Sequence, residues 1–129
     1  TPLRPVMHVT GVIGEHVPVW DIEDKFGGTS LLVTNMDQAR DLAEKMGPAR
    51  VVLMRGHGST VVGTSLEQVV YRAIYAEVNA KLQLAANGLG EISFLNEEEA
   101  QLASDMNDGQ IPRSWNLWVT RLGQVDIGN

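Results

Sequence analysis

The feature that most constrains the fold is the apolar run Val51-Val52-Leu53-Met54, which leads directly into Arg55-Gly56-His57-Gly58. An uninterrupted apolar run of strand length indicates a strand buried on both faces, as in a sheet covered by helices. Glycine allows backbone conformations and close approaches that other residues resist, so the strand is expected to end in a tight turn. Because ligand sites in α/β sheets favour strand ends, His57 is the first candidate functional residue.

The segments around this strand alternate between extended and helical patterns. Residues 5–13 and 17–22 are β-branched and apolar, and they predict short strands on either side of a turn at 14–16. Thr60-Val61-Val62-Gly63 predicts a short strand that returns from the His57 turn. Amphipathic spacing predicts helices at 35–46, 65–86, 97–107 and 112–122. The alternation favours an α/β or α+β arrangement in three layers over a helix bundle or a β-sandwich.

Capping residues and apolar stripes define the predicted helices. Ser65 and Gln68 form a capping box at the start of the longest helix, and Asn96 with Glu99 does the same for the next one. The longest helix is expected to turn an apolar stripe to the core, formed by Leu66, Val69, Val70, Ala73, Ile74, Val78 and Leu82. The last helix has its apolar residues on one face, at Trp115, Trp118, Val119 and Leu122.

Composition and charge argue against several classes of function. The 129-residue chain has ordinary globular composition and is sized for one domain. It has 16 acidic and 10 basic residues, and the net charge of −6 argues against a nucleic-acid or anionic-membrane surface. There is no cysteine, so disulfides and thiolate metal sites are excluded and a cytoplasmic location is expected. No apolar run approaches the roughly 20 residues of a membrane span.

The histidines are isolated from one another in the sequence. Imidazole is a common metal ligand and acid–base group, but a single histidine in a turn is more often structural or solvated. His8 lies in a predicted apolar strand and is expected to be a hydrogen-bonded core residue, whereas His16 is expected to be exposed. No His-x-His or His-Glu-x-x-His spacing occurs. Ser59 is next to His57, but adjacent residues rarely have the geometry of a nucleophile and its base.

Two pairs on the longest helix admit both a structural and a functional interpretation. Glu77 and Lys81 lie one turn apart and are interpreted as an ion pair that supports the helix. The alternative is a partly buried carboxylate that orients a neighbouring group or crosses a subunit interface. Tyr71 and Tyr75 fit core packing and an aromatic interface patch equally well.

Two further groups are also open to both interpretations. Trp115 and Trp118 are expected to pack the last helix onto the body of the protein, with a lid over a pocket as the alternative. Asp21, Glu23 and Asp24 form an acidic cluster near two glycines, and a solvated loop is the expected structure there.

The run 51–86 resembles the C-terminal part of the class II aldolase/adducin family. The matching elements are, in order, the apolar strand, the Gly56-His57-Gly58 turn, the short return strand and a long helix carrying Ala73, Glu77 and Ala80. The segment from Arg4-Pro5-Val6 to Val17-Pro18-Val19-Trp20-Asp21-Ile22 is also similar to the family's strand pair before this element.

The resemblance implies a fold and an assembly. The family's fold is a three-layer α/β/α sandwich that forms tetramers with active sites at subunit interfaces, so a homotetramer is expected. Residues 1–129 are then expected to be the C-terminal part of a single domain, of which only this half is present. The family's His-x-His pair, an upstream acid and a substrate-anion loop precede the matching region. Those parts are expected in a longer polypeptide or in another chain.

The resemblance also implies a divalent metal site, with manganese or zinc as the ion. The family's enzymes hold the ion with three histidines, two from the His-x-His pair and a third from a Gly-His-Gly or His-His-Gly turn. His57 matches the third position and is therefore the expected catalytic and metal-binding residue. Gly56 and Gly58 would shape the turn, and Ser59 and Thr60 would support the ligand by hydrogen bonds. The ion acts as a Lewis acid that stabilises an enolate-like intermediate.

The amino-acid sequence of the turn indicates one branch of the family. Arg55-Gly56-His57-Gly58 is similar to the decarboxylase-type branch, which acts on hydroxylated aromatic or pyridine carboxylates such as 3-hydroxy-2-methylpyridine-4,5-dicarboxylate. The leading expectation is therefore a metal-dependent lyase that decarboxylates a small carboxylate. The first alternative is a class II aldolase acting on a sugar phosphate or hydroxy-oxo acid, with an aldehyde product. Two others are a non-catalytic, adducin-like assembly domain and a separately made half-domain that needs a partner chain.

Overall fold

The computed structural model of the protein describes residues 2–123, and its strands form one small sheet within them. Strands β1 (Val19–Trp20), β2 (Val51–Met54) and β3 (Gly58–Val61) lie in that order. β1 is parallel to β2, whereas β2 and β3 form an antiparallel hairpin. The apolar strand that was predicted to be buried is therefore the central one. Of the strand predicted at 17–22, only the middle pairs in the sheet.

The other regular elements of residues 2–123 are helices. A 3-10 helix lies at His8–Ile13, and α1 to α5 lie at Glu23–Phe26, Met36–Met46, Leu66–Asn87, Glu97–Asp108 and Ile111–Gly123. The longer helices, α2 to α5, begin and end within about one residue of their predicted bounds, as is usual for helix ends. Together with the small sheet they confirm the predicted α/β class. Within residues 2–123, no helix is both long and apolar enough to cross a membrane.

Strand β2 is covered on both faces because successive side chains of a strand point to opposite sides of the sheet. Val51 is fully buried in a cluster with Tyr71 of α3. Val52 is fully buried in a second cluster with Trp20, against which Leu42 of α2 packs. The prediction that this strand is buried on both faces is confirmed.

Residues 5–13 do not form a strand, and the prediction for this segment is wrong. His8–Ile13 is a 3-10 helix that packs closely against α4. A Cβ added at Gly11 would lie only 2.9 Å from the Cβ of Ala103, so this contact requires glycine. Thr10, Val12 and Ile13, which suggested a strand, are fully buried in this helical segment, and the two aliphatic residues belong to the core cluster that contains Val51. The same β-branched residues suit either setting, and the sequence pattern does not distinguish them.

Helix α3 buries the polar side of its surface, so the prediction that its apolar stripe faces the core is wrong. The buried residues are Gln68, Tyr71, Arg72, Ala76, Asn79 and Gln83. In the predicted stripe, Leu66 is 67% exposed and Ala73 is also exposed. The remaining members of the stripe are half-buried or exposed.

Two amides of α3 explain this inversion because they bind the extended chain that precedes the 3-10 helix. Asn79 Oδ1 accepts a hydrogen bond from Val6 N at 3.0 Å, and its Nδ2 donates to Arg4 O at 2.7 Å. One turn later, Gln83 Oε1 accepts from Arg4 N at 3.0 Å, and its Nε2 donates to Pro2 O at 2.7 Å. The amides thus supply the hydrogen bonds that a neighbouring strand would make, since buried main-chain groups must be paired.

The start of α3 is capped in a different way from the predicted box. Ser65 Oγ accepts from Gln68 N at 3.2 Å, as expected for the first half of a capping box. Gln68 Oε1, however, accepts from Thr64 N at 2.8 Å rather than from the N-cap residue. The box predicted for α4 is complete, with Asn96 and Glu99 bonded reciprocally.

Helix α5 packs onto α3 through half-buried Trp118, whose ring centroid lies 5.9 Å from that of Tyr71. Trp115 is half-buried as well. Val119 and Leu122 are 47% and 67% exposed. The prediction that Trp118 packs the last helix onto the body is confirmed, but the apolar face of this helix is only partly covered.

Candidate functional site

The candidate site lies at one edge of the sheet, where parallel strands β1 and β2 both end. Asp21 follows β1, and Arg55 follows β2. His57 lies in the turn that joins β2 to β3, and its main-chain N donates to Met54 O at 3.1 Å. The His57 side chain is exposed. The carboxyl ends of parallel strands are the usual place for ligand sites in α/β sheets, so the fold presents this imidazole where chemistry is expected.

Position 56 must be glycine because of its backbone conformation and because of a neighbouring side chain. Its φ is +66°, in the left-handed region that favours glycine. A Cβ at this position would lie 3.0 Å from Leu31 Cδ1, so the loop before α2 packs directly on the turn. Leu31 itself has a φ of +64°, and its N donates to Thr29 Oγ1 at 3.0 Å. The loop that carries Leu31 therefore packs against the turn of the β2–β3 hairpin.

Replacing Gly56 with alanine is expected to lower the free energy of unfolding by about 1–3 kcal/mol, because alanine disfavours positive φ and crowds Leu31. Urea unfolding followed by circular dichroism measures this change. Gly28→Ala is the matched control, since Gly28 has no positive φ and a Cβ there would meet nothing within 4 Å. Equal stability of the two variants would contradict this account of the turn.

The residues after His57 form the start of β3. Gly58 has a φ of +151° and lies opposite Met54 in the hairpin. Ser59 is exposed, whereas the hydroxyl of Thr60 is directed at Met54 Sδ, 3.3 Å away. Thr60 therefore joins β3 to β2 in this structure. The supporting role predicted for Ser59 and Thr60 toward a His57-bound ligand stays a prediction.

Arg55 is bound by two carboxylates at this edge of the sheet. Its Nε lies 2.5 Å from Asp21 Oδ2, and its Nη2 lies 2.8 Å from Glu23 Oε2. The hydrogen bond from Arg55, followed by that from the main-chain N of Glu23, holds the pKa of Asp21 below its usual value. Glu23 and Asp24 are exposed, as predicted for a solvated acidic cluster, although they lie in α1 rather than in a loop. The prediction is wrong for Asp21, which is half-buried and paired with Arg55.

A second polar network lies behind this edge and has no signal in the sequence. Trp20 Nε1 donates to Asp41 Oδ2 at 2.8 Å, and Lys25 Nζ donates to Asp41 Oδ1 at 3.0 Å. These hydrogen bonds lower the pKa of Asp41, with the contribution of Trp20 the largest. The network ties α1 and α2 to the end of β1. Asp41 lies 21 residues after Trp20, so only the fold brings these two side chains together.

The other two histidines lie outside the His57 turn. His8 is exposed on the 3-10 helix, and the Asn107 side chain donates to its main-chain O at 3.2 Å. The prediction of a core histidine in a strand is therefore wrong. His16 is exposed, as predicted. Among residues 2–123, no three His, Cys, Asp or Glu side chains come together in a group that could hold a metal ion.

Two of the paired features on α3 have structural roles. Lys81 Nζ lies 2.6 Å from Glu77 Oε1, and their side chains are 73% and 69% exposed. The ion-pair interpretation is thus confirmed, and Glu77 is not buried within this chain. A role for this carboxylate at a subunit interface stays a prediction. Tyr71 is buried, with its ring centroid 4.6 Å from that of Tyr75. Burial raises the pKa of Tyr71 to about 12, so this phenol belongs to the core.

The sequence match defines the class of protein. Residues 2–84 match the family described as "Class II Aldolase and Adducin N-terminal domain". The chain therefore belongs to the class II aldolase/adducin family, which confirms the resemblance carried by the strand, the His57 turn and the long helix.

Individual relatives are lyases by name. Decarboxylase tropJ of Talaromyces stipitatus is 39% identical over 142 residues, covering 91% of this chain and 52% of that protein. The 3,4-dihydroxyphthalate decarboxylase of a Terrabacter species is 35% identical over 98 residues, covering 72% and 40%. Among solved structures, an L-fuculose 1-phosphate aldolase matches with a TM-score of 0.62 and 25% identity, covering 83% of this chain and 47% of that one. The chain thus spans about half the length of these relatives.

Proposed function

We propose that the protein carrying this chain is a metal-dependent carbon–carbon lyase that decarboxylates a hydroxylated aromatic or pyridine carboxylate. The observation that carries the proposal is the His57 turn, which holds an exposed imidazole where parallel strands β1 and β2 end. Two relatives named as decarboxylases support the reaction class, since they match 91% and 72% of this chain.

His57 fits the role of one metal ligand. Its side chain is exposed, its backbone is fixed in a tight turn, and an imidazole nitrogen suits both zinc and manganese. The described residues contain no complete ligand set, so we place the remaining ligands in protein outside residues 2–123. A bound divalent ion would supply Lewis acidity toward the oxygens of the substrate.

In the proposed reaction, the bond between the ring carbon and the carboxylate carbon breaks and CO₂ leaves. Before this bond breaks, a proton adds to the ring carbon, and the adjacent hydroxyl oxygen becomes a carbonyl as it gives up its own proton. The bonding electron pair then passes through the ring to that oxygen and restores the aromatic system. The oxygen finally takes up a proton, so the product has hydrogen in place of the carboxylate. The reaction as a whole consumes one proton and needs no oxidant or reductant.

The residues of this chain would orient the imidazole during this reaction. Gly56 admits the tight backbone, and Leu31 closes over it from the loop before α2. The Thr60 hydroxyl contacts Met54 and so links β3 to β2, which restricts the backbone that follows the turn. The exposed hydroxyl of Ser59 adjoins His57 and can donate a hydrogen bond to a bound carboxylate.

The family membership also supports a proposal for the whole assembly. We place residues 1–129 in the C-terminal part of a three-layer α/β/α domain that forms a cytoplasmic homotetramer with active sites at subunit interfaces. The match to the L-fuculose 1-phosphate aldolase structure covers 83% of this chain but only 47% of the aldolase chain. A half-domain is expected to give such unequal coverage.

Aldolase activity on a sugar phosphate is the second candidate, favoured by the TM-score of 0.62 to the L-fuculose 1-phosphate aldolase. The test uses the full polypeptide with manganese or zinc. One assay supplies 3,4-dihydroxyphthalate and related hydroxylated aromatic carboxylates, and a separate assay supplies L-fuculose 1-phosphate. Release of CO₂ that stops on chelation supports the decarboxylase. Aldehyde formation supports the aldolase, and no turnover with either metal supports a non-catalytic, adducin-like assembly domain.

A further inference from the structure

The turn that carries His57 begins at Arg55, and the guanidinium of Arg55 contacts two carboxylates, one directly after β1 and one at the first residue of α1. Asp21 binds Nε at 2.5 Å, and Glu23 binds Nη2 at 2.8 Å. Guanidinium is a planar fork, so contacts at two of its nitrogens restrain its direction as well as its position. This group of three, here called the Arg55 clamp, joins the end of β1 to the end of β2.

Main-chain hydrogen bonds place the Arg55 clamp against the turn. Arg55 N donates to Trp20 O at 3.0 Å, so the pairing of the two strands continues up to the residue before Asp21. Asp21 Oδ1 accepts from Glu23 N at 2.9 Å. One oxygen of this carboxylate therefore orients the start of α1, while the other holds the hairpin that presents His57.

The far side of the Arg55 clamp is anchored to the body of the protein. Lys25 of α1 donates to Asp41 of α2, which also accepts from the indole of Trp20. Trp20 is only 3% exposed and belongs to the core beneath the sheet edge. The clamp thus connects the His57 hairpin to a chain segment whose neighbouring residue, Trp20, is buried in the core.

We propose that Asp21 is a positioning residue for His57 and acts through Arg55. The inference rests on the proposed function, in which His57 is a metal ligand. One carboxylate would be enough to neutralise the charge of Arg55. Two carboxylates, together with the main-chain hydrogen bond of Arg55, also restrict the rotation of its side chain. Functional sites need their ligand side chains held to within about 0.5 Å and 10–20°, and the Arg55 clamp supplies this restraint on the incoming side of the turn.

The test compares Asp21→Asn with Asp37→Asn in the full polypeptide. Asp37 is a matched control because it also pairs with an arginine, Arg40 at 3.3 Å, in an exposed position on α2. Asp21→Asn is expected to weaken Mn²⁺ binding about 10-fold, as for groups that support a metal ligand, and saturating Mn²⁺ should restore most of kcat. Asp37→Asn is expected to bind Mn²⁺ like the wild type. Electron paramagnetic resonance of free Mn²⁺ measures the affinities.

Two further variants keep the inference falsifiable. Arg55→Lys retains the charge but cannot span both carboxylates, so it should weaken Mn²⁺ binding in the same direction. His57→Ala tests the underlying function. If His57→Ala loses Mn²⁺ binding while Asp21→Asn and Arg55→Lys bind like Asp37→Asn, the positioning role is overturned and the proposed function stands. If His57→Ala binds Mn²⁺ like the wild type, both are overturned.

Discussion

Replacing His57 with alanine is expected to reduce CO₂ release by more than about 100-fold, a larger loss than removal of a group that only supports a ligand. The change should leave the protein folded, because the side chain is exposed and the hydrogen bond from position 57 to Met54 is made by the main chain. Steady-state kinetics at saturating Mn²⁺ or Zn²⁺ measure the loss, and circular dichroism checks the fold.

His16→Ala is the control for this experiment. His16 is also exposed, but it lies before β1 and outside the turn, so its replacement should leave turnover unchanged. Wild-type turnover in His57→Ala would contradict the assignment. An equal loss in both variants would show that the effect is not specific to the turn.

Replacing Asn79 with alanine is expected to lower the free energy of unfolding by about 2–5 kcal/mol, a large part of a typical domain's stability. Asn79 is fully buried, and its amide pairs with the main chain of Arg4 and Val6. Its removal leaves two main-chain groups without partners in the interior. The shift in the urea midpoint at constant slope measures the loss.

The control for this variant lies on the same helix. Asn87 is the last residue of α3 and is exposed, so Asn87→Ala should change stability by no more than about 0.5 kcal/mol. If Asn79→Ala were no less stable than Asn87→Ala, the account of how α3 binds the N-terminal segment would be wrong.

The elements around the site could be predicted from local patterns. A continuous apolar run identified β2, and capping residues with helical spacing identified α2 to α5. These signals are local, because strand burial and helix caps depend on residues only a few positions apart. The His57 turn was predicted for the same reason, since two glycines beside a strand end mark a tight turn.

The orientation of α3 could not be predicted, because its burial follows from partners far away in the sequence. Asn79 and Gln83 lie outside the predicted apolar stripe, and they are buried because the segment carrying Arg4 binds to them. Once these amides are buried, the opposite face of the helix, with Leu66, must face outward. Hydrophobic periodicity assumes that apolar side chains decide burial, and here paired polar groups decide it instead.

The surroundings of His57 were hidden for a related reason. Asp21 and Glu23 were predicted to lie in a solvated acidic loop, yet both pair with Arg55. Glu23 and Arg55 are 32 positions apart in the sequence. The contact of Leu31 with Gly56 likewise depends on the loop before α2 returning to the sheet edge. Which charges pair across such distances is set by strand order and register, which single-sequence patterns do not give.

The central claim is that His57 is a ligand of a catalytic metal. The most direct measurement is the ratio of divalent metal to protein in the full polypeptide after extensive dialysis, determined by elemental analysis for the wild type and for His57→Ala. The account predicts about one manganese or zinc ion per chain in the wild type and almost none in the variant. A wild type that retains no metal, or a variant that retains as much as the wild type, would contradict it.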